Sequence, residues 1–233
     1  MQKMGSIQLV VFDLAGTTVQ DNQDVQKVLR KTLQRQGVSI TMAEAARVMG
    51  IPKPVALRQL LEYHLPESIK VTDDMIDELH EAFVSDMVSF YEEDPSVREM
   101  AGASDVFKAL KESGISVYVD TGFDRKTTDA LIERLGWLKK ELLDGSVTSD
   151  EVESGRPHPD MIFKAMKLSK VTEASFVAKV GDTASDLGEG TAAGCGLVIG
   201  VTTGAYSRED LEKEPHTHIA DSLPEVLQII LEK

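Results

Sequence analysis

Four short apolar runs, each stopped by a loop holding Gly, Asp or Thr, constrain this chain more than any other feature. They cover residues 7–12, 115–119, 176–180 and 197–201. Each has the length and β-branched content of a buried strand, and the stretches between them carry helical periodicity. Strands alternating with helices argue for an α/β domain with a mostly parallel sheet. In open sheets of that kind, ligand chemistry gathers at the carboxyl ends of the strands. Three of the four ends carry reactive side chains: Asp13, Thr121 and Asp182.

Helical patterns fill the gaps. Val25, Val28, Leu29 and Leu33 share one helical face, and Gly37 can end that helix. Thr41 followed by Glu44 has the form of a capping box. Met75, Ile76, Leu79, Phe83, Met87 and Phe90 make a stripe on a long helix, and Ser104 can cap a helix ending at Gly114. No strand pattern appears between residues 20 and 97. The expectation is a Rossmann-like parallel-sheet core (residues 1–19 and 98–233). An all-helical cap domain (residues 20–97) is inserted after the first strand. Gly16 and the region near Pro95 are the expected connections.

Composition narrows the function. The 233 residues suit one core with a modest insertion. The 39 acidic against 25 basic residues leave a net charge of −14, which makes nucleic acid and anionic lipid surfaces poor partners. The single cysteine, Cys195, excludes a disulfide framework or a cysteine-based zinc site within one chain. Flanked by Gly194 and Gly196, it reads as a small packing residue. No run is long enough to span a membrane, and the N-terminus lacks the apolar region of a secretory signal. A soluble cytoplasmic protein is therefore expected.

Each of four segments has two readings. In the segment from Val11 to Val19, Asp13 is either a nucleophile above a nest of backbone N–H groups or a simple cap of the next element. Thr121-Gly122 is either a phosphate-holding hydroxyl and amide or an ordinary strand-to-helix turn. Arg156, between Gly155 and Pro157, is either a fixed cation for a tetrahedral oxyanion or a surface residue in a turn. Asp182 and Asp186 either hold a hard cation such as Mg²⁺ or cap and complement a helix start.

Together and in this order, the four segments resemble motifs I to IV of the haloacid dehalogenase superfamily of phosphotransferases, over residues 9 to 200. The resemblance implies in-line attack by Asp13 on phosphorus, giving an aspartyl phosphate that water hydrolyses. It implies Mg²⁺ held by Asp13, the backbone carbonyl of Ala15, and Asp182, with Asp186 as ligand or orienting group. Thr121 and Arg156 would hold the transferring group, and Ala15, Gly16, Thr17 and Gly122 would surround the substrate. An acidic protein can bind such an anion where Mg²⁺, Arg156 and backbone donors dominate locally.

Ala15 stands where phosphatases and phosphomutases of the superfamily carry an acid/base Asp, and alanine moves no proton. The segment Val48-Met49-Gly50-Ile51-Pro52-Lys53 resembles the cap segment of the phosphonoacetaldehyde hydrolases. Their nucleophile block, Gly-Arg-Pro and Lys-Val-Gly-Asp-Thr segments also resemble those here. That resemblance puts Lys53 at a Schiff-base lysine, with Met49 and Gly50 beside the substrate. A protonated imine on Lys53 would be the electron sink for C–P cleavage, with acetaldehyde and phosphate as products. The alternative for Lys53 is an exposed cap residue.

The match departs at three places. Pro54 is expected to restrict Lys53 to extended backbone. Ala56 replaces a histidine, with His64 or His80 as possible substitutes, and Phe123 replaces a tyrosine. The competing functions are a small phosphate-ester phosphatase, for a phosphoglycolate-like or sugar phosphate, and a non-catalytic phosphate-binding module. A homodimer through the 75–90 stripe stands against burial of that stripe inside the cap.

Overall fold

The computed structural model describes residues 6–49 and 51–232. Its strands are β1 (Leu9–Phe12), β2 (Ser116–Thr121), β3 (Gly145–Thr148), β4 (Val177–Gly181), β5 (Leu197–Val201) and β6 (His218–Ala220). They form one sheet in the order β3-β2-β1-β4-β5-β6, parallel throughout. The four expected strands are the inner four. The two edge strands were not expected. Gly-Ser-Val-Thr and His-Ile-Ala are short and only half buried, so neither shows the continuous apolar run of a central parallel strand.

Side chains of β1 alternate between the faces. Val10 and Phe12 join the larger core cluster, while Leu9 and Val11 join a second cluster on the other face. Helices α5 (Ala103–Glu112), α6 (Arg125–Leu135), α7 (Asp160–Ser169), α8 (Ala184–Ala193), α9 (Arg208–Leu211) and α10 (Leu223–Leu231) accompany the sheet. The result is an α/β, Rossmann-like fold. Ser104 does not cap α5. Gly102, at φ +86°, takes that position, and the Ser104 hydroxyl bonds Glu99 instead. The helix stops at Glu112, before the expected Gly114.

Between β1 and α5 lie α1 (Asp24–Gln34), α2 (Met42–Arg47), α3 (Lys53–His64) and α4 (Asp73–Glu93), with no strand among the described residues. Thr41 and Glu44 form the expected capping box at α2. The chain leaves and re-enters the sheet region side by side. The Met100 N–H donates to the Thr18 carbonyl at 2.7 Å and the Gln20 N–H to the Arg98 carbonyl at 3.0 Å. The crossing points are thus Val19 and Glu99 rather than Gly16 and the region near Pro95.

The α4 stripe faces inward: Ile76, Leu79, Phe83 and Met87 are buried, and Met75 and Phe90 pack against the same cluster. It serves the chain's own core, as the reading of a stripe buried inside the helical block expects. Because that cluster runs unbroken from α1 through β1 to α10, helices and sheet should unfold together. Phe83→Ala, at a fully buried site, is expected to cost ~3–5 kcal/mol while the urea transition stays single. Two separated transitions would show that the helical block is independent.

Candidate active site

Strand register builds the site. Phe12 lies level with Val119 and Val180, so the next residues, Asp13, Asp120 and Gly181, emerge together at the carboxyl edge. The Asp13 N–H donates to the Val180 carbonyl at 2.9 Å, which fixes its height. β1 sits where the chain order reverses, between β2 and β4, the position at which open α/β sheets form a crevice.

A cavity of about 30 Å³ opens above this edge. That is room for about two waters. Its lining includes Asp13, Ala15, Thr121, Gly122 and Asp182 from the sheet side, and Met49 and Lys53 from the helical block. Phe123, Asp21, Val25, Thr183 and Ala205 complete it. Ala15 and Gly122 carry backbone N–H groups without a hydrogen bond to the chain among the described residues, as an anion cradle needs. The expected nest is smaller than read from sequence. The N–H groups of Thr17, Thr18 and Val19 all turn back to the Leu14 carbonyl, and that of Gly16 bonds Val19.

Lys53 is buried, only 3% exposed, with its ammonium 5.6 Å from the centre of the Phe123 ring. Its Nζ lies 3.4 Å from the Ile51 carbonyl oxygen. Burial pushes the amine down to about 8, although Asp13 and Asp21 pull the other way. Lys53 is not extended. It is the first residue of α3, with Pro54 in the first turn, where a missing N–H is tolerated. Gly155 helps to seat this turn, since a Cβ there would lie 2.5 Å from the Pro52 ring. Gly50 lies outside the described residues.

Beneath the cavity lies a buried charge cluster. Arg156 Nη1 lies 2.8 Å from Asp13 Oδ1 and 2.6 Å from Asp186 Oδ1, and its Nη2 is 2.6 Å from Asp120 Oδ1. Its Nε lies 3.3 Å from Glu189 Oε2. Lys179 pairs with Asp120, and with Glu189 at 3.0 Å and Asp186 at 3.3 Å. Arg156 does not line the cavity, where a direct grip on a bound group was expected of it; it meets Asp13, which does. Gly16 and Thr17 likewise stand behind the lining. The Thr17 hydroxyl donates to Asp182 Oδ1 at 3.1 Å, and Gly16 packs against that carboxylate. The other Asp182 oxygen accepts the Ala205 N–H at 2.6 Å.

Five carboxylates (Asp13, Asp120, Asp182, Asp186 and Glu189) meet two cations here. The surplus appears in their protonation. Burial pushes the Asp13 carboxyl up to about 6 against the pull of Arg156. Burial and the neighbouring Asp13 and Asp186 hold Asp182 well above the carboxylate range. Burial and Asp120 do the same to Glu189. Asp120 goes the other way: Arg156 and Lys179 overcome its burial and hold it low. Oxygens of Asp13, Asp182 and Asp186 lie within 4.8 Å of one another, all buried. A hard divalent cation fits that donor set and offsets the surplus charge. Asp186 has one oxygen beside Arg156 and Lys179 and the other bonded by Thr183, and it belongs with Asp13 and Asp182 to the group that could hold the cation.

Sequence reading assigned no role to Lys179, Asp120, Glu189 or Asp21. A signal existed for the first. A lysine inside the apolar run Phe176 to Val180 has to find buried acids. Neither substitute histidine reaches the cavity: His64 pairs with Glu44 at 3.0 Å, and His80 lines a separate groove with Asp124 and Asp150.

The haloacid dehalogenase-like hydrolase family profile matches residues 10–201. The chain is 30% identical over 234 residues to a phosphonoacetaldehyde hydrolase of Bacillus cereus (strain G9842), covering 93% of this chain and 85% of that one. It is 32% identical over 232 residues to the phosphonoacetaldehyde hydrolase of Bacillus cereus (strain B4264), with 93% and 85% covered. A phosphonoacetaldehyde hydrolase-like protein from Oleispira antarctica superposes with a TM-score of 0.81 at 21% identity, over 98% of this chain and 93% of that one. The last likeness bears on fold alone. With the profile spanning most of the chain and Asp13, Thr121 and Asp182 at one sheet edge, this protein belongs to the haloacid dehalogenase-like hydrolase family.

Proposed function

We propose that this hydrolase cleaves the C–P bond of a small phosphonate aldehyde of the phosphonoacetaldehyde type. The observation that carries the reading is a buried lysine, Lys53, lining the same cavity as Asp13, where Ala15 provides no acid. A phosphate ester with a poor leaving group needs that acid; an imine-activated phosphonate does not.

Residues 20–97 act as a cap that opens to admit substrate and closes to exclude water, with Met49 and Lys53 from this block lining the cavity opposite Asp13. The neutral Lys53 amine condenses with the aldehyde, releasing water, and the imine nitrogen takes up one proton from solvent to give the protonated imine; that proton is returned when water hydrolyses the aspartyl phosphate on Asp13 to phosphate. Asp13 attacks phosphorus in line. The P–C bond breaks, and its electron pair moves toward the imine nitrogen, leaving an enamine on Lys53. Thr121 and the free N–H groups of Ala15 and Gly122 hold the phosphoryl oxygens, while Arg156 orients Asp13 from below. Asp13, the Ala15 carbonyl and Asp182, with Asp186 as ligand or orienting group, would hold Mg²⁺, which would supply charge neutralisation on the phosphoryl group.

Incubation with phosphonoacetaldehyde and Mg²⁺ should release acetaldehyde and phosphate in equal amounts, at a turnover near ~10 per second. No acetaldehyde from enzyme that still hydrolyses an aryl phosphate would sink the C–P reading.

The charge surplus makes a prediction without turnover. Asp13 and Asp182 bind protons more tightly folded than unfolded, so their contribution to stability is complete below pH ~4; that of Asp13 is lost as pH rises through about 6, and that of Asp182 falls in the same direction. Lys53 acts in the opposite sense, but its penalty is relieved only above about 8. Mg²⁺ should therefore raise Tm more at pH 7.5 than at pH 5, by up to ~3 kcal/mol of stabilisation at saturating metal. Equal shifts at both pH values would place metal binding elsewhere.

A further inference from the structure

We infer that Asp21, on the cavity wall formed by the segment leading into α1, is the acid that protonates the carbon leaving group. The inference rests on the C–P cleavage reading. That chemistry leaves an enamine whose carbon must gain a proton before acetaldehyde can leave. The ionisable groups lining the cavity are Asp13, Asp182, Lys53 and Asp21. The first two serve the phosphoryl group and its cation, and Lys53 carries the imine. Asp21 remains, on the segment that leads into α1.

Its geometry fits the task. Asp21 Oδ1 accepts the Asp24 N–H at 2.6 Å, which fixes the carboxyl at the head of the helix. The Val25 N–H also faces this carboxyl, so two backbone donors at the start of α1 hold it in place. Asp21 and Ala205 also line an adjoining cavity of about 240 Å³ with Gln23 and Gln26, so the carboxyl stands between the reaction chamber and a space that can hold water. A group there can be recharged after each turnover. The charged and ionisable groups facing it are Asp24 on α1, Lys53 on α3, Tyr91 on α4 and Asp13 after β1. Burial outweighs the backbone N–H groups of Asp24 and Val25 and raises the Asp21 carboxyl above its ordinary range.

The step balances. The carboxylic acid of Asp21 gives its proton to the terminal enamine carbon. The C=C pair forms the new C–H bond, and the nitrogen lone pair restores the iminium. Water then adds to the iminium carbon, and Asp21, now a carboxylate, takes a proton from it. Collapse of the carbinolamine frees acetaldehyde and the Lys53 amine.

The test is Asp21→Asn, with Asp21→Glu as the conservative partner, in the full-length Mg²⁺-loaded enzyme. Three readouts are taken: acetaldehyde release from phosphonoacetaldehyde, aryl phosphate hydrolysis, and exchange of acetaldehyde methyl protons in D₂O followed by NMR. Asp21→Asn should lower acetaldehyde release and methyl exchange about 10²-fold or more through kcat, with aryl phosphate turnover within about threefold. Asp21→Glu should recover part of both lost activities. Unchanged exchange and release in Asp21→Asn would overturn the assignment while leaving C–P cleavage intact. Parallel loss of aryl phosphate turnover would reduce Asp21 to a structural helix cap. Wild-type enzyme that releases no acetaldehyde would instead bring down the underlying reading.

Discussion

Lys53→Met is expected to lower acetaldehyde release by about 10⁴-fold or more while aryl phosphate hydrolysis continues. Without the imine, breaking the P–C bond expels an unstabilised carbanion, and no nearby group can take that electron pair. A 10⁴ effect corresponds to ~5.4 kcal/mol of barrier, within the range felt when a covalent catalyst is removed. Lys53→Arg should be as inactive, because guanidinium keeps the charge but stays protonated and forms no imine. The Met variant should fold at least as stably, since it removes an amine that burial disfavours in its charged form. In the wild type, kcat/KM should rise with pH through about 8 and then level, because lysine condenses as the neutral base. A variant at Lys53 that retains C–P cleavage would return this residue to an ordinary buried cap lysine.

Asp13→Asn is the second large effect, and its two consequences have opposite signs. Turnover of both phosphonate and aryl phosphate should fall by about 10⁴-fold or more, since asparagine forms no acyl phosphate. Stability without metal should rise at neutral pH. The substitution removes one charge from five crowded carboxylates that face two cations, and Arg156 keeps Asp120, Asp186 and Glu189. Asp13 is already pushed up to about 6, so the neutral form suits the metal-free site. Thermal melting with and without Mg²⁺ checks both signs: a higher Tm without metal and a smaller response to it. A large loss of stability would mean that Asp13 chiefly anchors Arg156, as a structural ion pair does.

Legibility in the sequence follows sequence distance and burial. The inner strands were readable because parallel strands covered on both faces need unbroken apolar runs. Edge strands β3 and β6 were not, because one flank meets solvent and the run shortens. Asp13, Thr121 and Asp182 were readable as polar residues at the ends of such runs, and register then brought them together. The part played by Arg156 was not. Its partners Asp13, Asp120, Asp186 and Glu189 lie far apart in sequence, and only the fold shows that they consume the guanidinium. Lys53 stood out only through the resemblance of its segment, since a lysine at a helix start carries no local sign of burial. Asp21 carried no sign at all. An aspartate three residues before a helical N–H looks like a cap, and one of its oxygens is one.

The most direct test of the account is borohydride reduction of the enzyme during incubation with phosphonoacetaldehyde, followed by peptide mapping. The account predicts inactivation that requires substrate and an N-ethyl group on Lys53, left when the iminium remaining after C–P cleavage is reduced. Lys53→Met should take up no label. Intact Lys53 in an enzyme still releasing acetaldehyde and phosphate, or label on another lysine, would contradict it.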